Sequence, residues 1–245
     1  MQEEIQPATR PAPLGVLTLP RASITMLGLT HGVPPNDLSA MDQQALNTQN
    51  EEIEVKFVLD DLTAMRQRVV KMGAVLKTPR TYENNVTYDT AEGRLRQGGR
   101  LLRLRRDRRN VLTYKEPLPH EDADFKVRQE FEVEVSDFTQ AQSIVERLGF
   151  TASMRYEKYR ETFAYEGAEI VLDELPVGNF MEIEATREQI RSITAALGLD
   201  FATRLRGSYS DILEAVCAAY DLSLSDMTFD NFRHLTIDLH ACDLT

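Results

Sequence analysis

From residue 51 onward the chain is dominated by segments in which charged and apolar positions alternate. Residues 51–59 set Glu52, Glu54 and Lys56 against Ile53, Val55 and Phe57. Residues 100–106 set Arg103 and Arg105 against Leu102 and Leu104, and residues 111–115 end on Lys115. Residues 126–135 alternate Arg128, Glu130, Glu132 and Glu134 with Val127, Gln129, Phe131 and Val133. Residues 156–163 put Lys158 and Arg160 on one face, and residues 169–173 end on Asp173. Residues 179–185 alternate Glu182 and Glu184 with Met181 and Ile183, and residues 85–89 form a weaker eighth segment. A period of two is the strand signature, because successive side chains leave opposite faces of the backbone.

Helical periodicity separates some of these strands. Asp60 or Asp61 can cap a helix carrying Leu62, Met65, Val69 and Met72, which Gly73 ends. Ser136 or Asp137 can cap a second, with Ala141, Ile144, Val145 and Leu148 before Gly149. Thr186 with Gln189, and Ser208 with Asp211, fit capping boxes of two more. Their apolar stripes read as core packing.

Three regions follow. Residues 1–48 carry Pro7, Pro11, Pro13, Pro20, Pro34 and Pro35 and no persistent period, which predicts a disordered tail. Residues 49–222 form one patterned domain, and residues 223–245 read as a short C-terminal tail.

Composition narrows the function classes. The chain is 42% hydrophobic, an ordinary globular balance, and its 39 acidic against 28 basic residues give a net charge of −11. That field repels phosphate backbones, so no nucleic-acid partner is expected. The Arg94–Arg109 cluster reads as solvated apart from Arg103 and Arg105. No stretch has the roughly 18 apolar residues of a membrane helix. No basic leader opens the chain, and the expected location is cytoplasmic. Cys217 and Cys242 lack zinc-like neighbours and read as reduced thiols. Residues 121–126 read as a solvated turn, with His120 exposed beside it.

The charged faces use a narrow set of residue types, unlike an ordinary solvated face. About eight strands is also the number at which a sheet can close. Charged faces turned inward would give an ionic lumen, wet or filled by a charged ligand, since dry burial of each ion costs several kcal/mol. Nearly balanced charges suit a polyanion that travels with divalent cations. Residues two apart on a strand sit about 6.6 Å apart on one face, which lets neighbours grip successive phosphoryl groups.

The motifs resemble the CYTH superfamily of class IV adenylyl cyclases, thiamine triphosphatases and triphosphate tunnel metalloenzymes. Glu52-Ile-Glu54-Val-Lys56 is similar to its ExExK signature. Arg103-Leu-Arg105, Thr113-Tyr114-Lys115, Arg128-Gln-Glu130-Phe-Glu132 and Lys158-Tyr-Arg160 resemble its successive strands. Leu172-Asp173-Glu174, Gly178-Asn-Phe180-Met-Glu182-Ile-Glu184 and Gly207-Ser208-Tyr209 resemble its closing elements. The resemblance implies an α+β fold, an eight-stranded antiparallel β-barrel forming a triphosphate tunnel, with amphipathic helices outside. It implies that Glu52, Glu54, Asp173, Glu182 and Glu184 hold Mg²⁺ or Mn²⁺. It assigns the triphosphate to Lys56, Arg103, Arg105, Lys115, Arg128, Lys158 and Arg160, and makes Glu130 and Glu132 their supporting partners or a further metal site. The catalytic set would be Glu52, Glu54, Lys56 and Lys115. The expected activity is metal-dependent hydrolysis of a small-molecule triphosphate. The alternatives are cyclisation of ATP to cyclic AMP and pyrophosphate, and a non-catalytic polyphosphate-binding module. Enterobacterial-type cyclases carry a His-Phe pair ahead of the first strand, where this chain has Asn47-Thr-Gln-Asn50, and that difference favours hydrolysis.

Overall fold

A computed structural model of the protein describes residues 51–119 and 122–244. The expectations for residues 1–48 and for His120 lie outside them. Eight strands are present among the described residues: β1 Glu51–Leu59, β2 Val75–Asp89, β3 Leu101–Arg106, β4 Asn110–Pro117, β5 Lys126–Glu134, β6 Thr151–Tyr165, β7 Ala168–Leu175 and β8 Gly178–Glu184. They pair antiparallel in the order β1-β5-β4-β3-β2-β6-β7-β8, and β8 pairs back onto β1, so the sheet closes in a ring. Closure leaves no long open edge.

The helices are α1 Leu62–Lys71, α2 Arg94–Gln97, α3 Phe138–Arg147, α4 Arg187–Ala196, α5 Tyr209–Tyr220 and α6 Phe229–Phe232. Asp61 and Asp137 each accept a backbone N–H as N-caps of α1 and α3, and α4 and α5 open on the two expected capping boxes. The chain leaves α1 through Gly73 at φ +101° and α3 through Gly149 at φ +96°, where a Cβ would strain the backbone.

The helices fix which face of the ring points outward. Val55, Phe57, Ile170, Leu172, Met181 and Ile183 pack beneath Met65 and Val69 of α1 and Ile190 and Ile193 of α4. Val86, Tyr88 and Leu104 pack beneath Ala141 and Val145 of α3. Each such side chain contributes about 1.5–3 kcal/mol on full burial. Alternation then sends the charged positions of the same strands inward. At one end of the ring α5 packs on Met154, Tyr156, Leu175 and Phe180.

Residues 223–244, read from sequence as a tail, dock on this end. Met227 bridges Tyr156, and Met227, Phe232 and Leu239 are buried. The reading of residues 121–126 as a solvated turn also needs correction. Phe125 is buried in the core, Lys126 ion-pairs with Glu54 inside the ring, and Asp122 and Asp124 bind Arg187, Arg191 and Arg204.

Candidate functional site

The ring encloses a cavity of about 940 Å³, and Glu54, Arg105, Lys115, Glu132 and Glu184 all line it. So do Glu52, Lys56, Arg103, Arg128, Glu130, Lys158, Arg160 and Glu182. Asp173 lies in the adjoining wall, fully buried and bonded to two of these cations. Glu134, which shares their alternation, instead reaches the exterior and pairs with exposed Arg109. The other arginines of 94–109, Arg94, Arg96, Arg100, Arg106, Arg108 and Arg109, are exposed as expected, and Arg96, Arg100 and Arg109 also line the cavity.

Two charge networks divide the lumen. The first centres on Asp173, which accepts from Lys158 Nζ at 3.0 Å, Arg160 Nε at 2.8 Å and the Tyr209 hydroxyl at 2.7 Å. Glu182 joins it through Arg160, through Tyr209 at 2.9 Å and through Lys56 at 3.1 Å. Burial alone would raise the Asp173 carboxyl, but Arg160 and Lys158 outweigh it and hold it below the ordinary aspartate range. Glu182 is held well below its range in the same way, by Arg160, Lys56 and Lys158 against burial. The Tyr209 ring also lies 3.8 Å beneath the Lys56 ammonium.

The second network holds the exchangeable pairs. Lys115 Nζ donates to both oxygens of Glu52 at 2.6 Å and lies 3.0 Å from Glu130. Glu54 pairs with Lys126 at 3.0 Å and Arg128 at 3.2 Å. Glu132 accepts from Thr113 at 2.6 Å and lies 3.4 Å from Arg103. The Nε donors of Arg103 and Arg128 are buried without a hydrogen-bond partner. Guanidinium groups lining a polar cavity suit an anion.

At the mouth beyond this network the carboxylates outnumber their cations. Register places Glu54 opposite Glu184, and Glu184 opposite Glu169 on the next strand. Lost hydration, then the charges of Glu52 and Glu169, push Glu184 up to about 8. Burial and the neighbouring Glu54 raise Glu52 despite Lys115. Burial also raises Glu169. Among the described residues no three such side chains stand in coordinating geometry. Their chemistry is nonetheless that of a hard-cation site, all oxygen and short of positive charge. Glu52, Glu54 and Glu184, joined by Glu169, therefore fit Mg²⁺ or Mn²⁺ in kind. Asp173 and Glu182 share that oxygen chemistry and are paired here with Lys56, Lys158 and Arg160, as Glu52 and Glu54 are with Lys115, Lys126 and Arg128.

Four contributors escaped the sequence reading. Glu169 and Lys126 share the strand parity of Asp173 and Arg128, which could have exposed them. Glu83, buried 3.7 Å from Lys158, lies in β2 just ahead of residues 85–89, the only part of that strand whose pattern is legible. Tyr209 opens a helix, where no period reports an inward side chain.

The sequence matches the CYTH domain over residues 50–212. A Methanocaldococcus jannaschii protein named as a candidate adenylate cyclase is 25% identical over 173 residues, covering 66% of this chain and 97% of that one. A solved Pyrococcus horikoshii structure superposes with a TM-score of 0.59 at 27% identity, over 66% of this chain and 98% of its own. A Vibrio parahaemolyticus structure, described as a candidate adenylate cyclase, superposes with a TM-score of 0.60 at 24% identity, over 67% and 98%.

Proposed function

The chain belongs to the CYTH domain family, and on that footing we propose that it is a divalent-metal-dependent triphosphatase. The observation that carries this reading is the inward ring of Lys56, Arg103, Arg105, Lys115, Arg128, Lys158 and Arg160 beside a cation-poor carboxylate mouth. Ligand binding is an exchange of partners. Phosphoryl oxygens take Lys115, Lys126 and Arg128 from Glu52 and Glu54, and the freed carboxylates, with Glu184 and Glu169, hold the metal. Neither sign is left uncompensated, which matters because an unpaired buried charge costs several kcal/mol.

A bound divalent ion supplies charge neutralisation on the phosphate oxygens and a more acidic water. The protein's own part is positioning and electrostatics, as phosphoryl transfer requires. Arg103 and Arg128, which line the cavity, offer their guanidinium groups to the chain of phosphates. Lys56 is fixed by Glu182 and by the Tyr209 ring, so its ammonium is presented without reorganisation. The Asp173 hub holds Lys158 and Arg160 in place and acts through them.

Cyclisation of ATP is the second reading, favoured by the name of the Methanocaldococcus jannaschii relative. Phosphorus NMR of the protein with ATP, inorganic triphosphate and Mg²⁺ or Mn²⁺ decides. Orthophosphate is the expected product, and pyrophosphate with cyclic AMP overturns hydrolysis in favour of cyclisation. Unchanged substrates make the chain a binding module.

A further inference from the structure

Strand β6 begins at Thr151, but β7 pairs with it only from Tyr159 onward, so the ring leaves the earlier part of β6 open on that side. Residues 226–229 take this edge. Asp226 accepts the Arg155 N–H at 2.7 Å, the Met227 N–H donates to the Arg155 carbonyl at 2.8 Å, and the Glu157 N–H donates to the Met227 carbonyl at 3.0 Å. The Phe229 N–H adds a bond to the Glu157 carboxylate at 2.8 Å. Buried Met227, Phe232 and Leu239 anchor this strap among the side chains of α5. The strap lies wholly beyond residue 212, where the family match ends. Its bonds to Arg155 and Glu157 bracket a single residue, Tyr156.

Tyr156 has the strand parity of Lys158 and Arg160, and it lines the cavity while being almost fully buried. Its hydroxyl accepts from Arg103 Nη1 at 3.3 Å, and its ring lies 5.4 Å from the Tyr209 ring. Tyr209 bonds Asp173 and Glu182 and underlies the Lys56 ammonium. Tyr156 is therefore a point at which the Asp173 network meets Arg103. The other partners of Arg103, Thr113 and Glu132, belong to β4 and β5, on one side of its own strand. Tyr156 holds the guanidinium from the other side, across β2.

From this arrangement we propose that Tyr156 is a positioning residue for the triphosphate site: its hydroxyl sets the Arg103 guanidinium, and the strap of residues 226–229 sets Tyr156. The proposal rests on the triphosphate reading and adds to it one uncharged residue and one segment outside the matched domain. A guanidinium held from two sides loses little freedom on meeting a phosphoryl oxygen, so its charge is presented without rearrangement. With the hydroxyl gone, Thr113 and Glu132 hold it alone, and an incoming phosphate must draw it away from the Glu132 carboxylate. A loosened strap has the same effect at one remove, because strand edges without partners are the parts that open first.

The test is calorimetric binding of imidotriphosphate, whose nitrogen bridges resist hydrolysis, to the full chain with Mg²⁺. Tyr156→Phe keeps the ring beside Tyr209 and removes only the hydroxyl. It should weaken binding about tenfold, the low end for a hydrogen bond to a charged group, in a protein that melts like wild type. In an Arg103→Lys background, where the ammonium cannot reproduce the guanidinium fork, the same change should alter affinity by less than about twofold. Asp226→Ala should weaken binding several-fold in wild type and leave Tyr156→Phe unaffected. Unchanged or tighter binding by Tyr156→Phe overturns the proposal, and so does an equal loss with Arg103 or Lys at that position. Asp226→Ala acting equally on wild type and Tyr156→Phe overturns the part given to the strap. Turnover of inorganic triphosphate measured alongside separates the two claims. Binding that depends on Tyr156 without release of orthophosphate sinks the triphosphatase reading alone, and turnover with binding indifferent to Tyr156 sinks the positioning role alone.

Discussion

Asp173→Asn is the perturbation that best separates a structural hub from a metal ligand. Both Asp173 and Lys158 are 0% exposed, and the aspartate accepts from Lys158, Arg160 and Tyr209. The amide removes the charge and replaces one acceptor with a donor. Arg160 keeps Glu182, but Lys158 keeps only Glu83, at 3.7 Å. Leaving one charge of a buried pair uncompensated costs about 3–5 kcal/mol. In a domain of this size each kcal/mol moves Tm by about 2–4 °C, so the variant should melt roughly 6–20 °C lower. The assay is thermal unfolding followed by circular dichroism in EDTA, where no metal contributes. Adding Lys158→Met should recover much of the loss, since an apolar replacement of a buried pair is often neutral or better. Acid supplies a further check. The Asp173 carboxyl is depressed, so its contribution is present above about pH 3.9, the ordinary aspartate value, and is lost as pH falls through the folded value. Wild type and variant should therefore converge in acid. An unchanged Tm in EDTA would refute the hub and return Asp173 to the metal set.

The remaining expectations concern the mouth. Glu54→Ala or Glu184→Ala should each lower the triphosphatase rate by about a hundredfold, the upper end of the loss seen when a metal site is perturbed; full activity in EDTA would remove the metal from the account. Mn²⁺ binding followed by calorimetry should tighten between pH 6 and pH 8.5 and release protons, because Glu184, pushed up to about 8, must deprotonate to hold the ion; a flat profile contradicts this. The rate should rise from pH 7 to an optimum between about 8 and 10 and then fall as lysines lose charge. Lys126, which burial lowers to about 8 in the free protein, is the first to do so once phosphate has lifted it, and Lys126→Arg should carry the alkaline limb upward. A peak below pH 7 points instead to a carboxylic acid as proton donor.

Much of the ring was legible because it is inverted. Ordinary soluble strands alternate apolar with mixed polar residues, but here the inward face must be ionic, so residues 51–59 or 126–135 display it without dilution. The same parity brought Glu54, Arg105, Lys115, Glu132 and Glu184 to one cavity. What escaped has a physical reason in each case. The first half of β2, Val75–Tyr82, contains Pro79, is largely exposed and shifts register twice against β6, so no face is buried to impose a period. Tyr209 enters the lumen from a helix end, and the split between the Asp173 hub and the Glu52–Glu184 mouth depends on pairing across strands. The docking of residues 223–244 rests on a few anchors, Met227, Phe232 and Leu239, too sparse to form a pattern.

Ring closure also sets an order of events during synthesis. β1 is the first described strand to be made, yet its strand partners are β5 and β8; Val58 and Leu59 pair with β8, which starts at Gly178, and Lys56 pairs with β8 and also bridges Leu205. At roughly 5–20 residues per second, several seconds separate the emergence of β1 from that of its last partner. Throughout that wait β1 is an open strand edge, the kind of template on which nascent chains associate. Glu52, Glu54 and Lys56 keep that edge charged until β8 arrives. The side chains assigned to metal and phosphate in the finished ring thus begin as guards against mispairing, and their neutralisation would harm yield in the cell before it harmed turnover in the test tube.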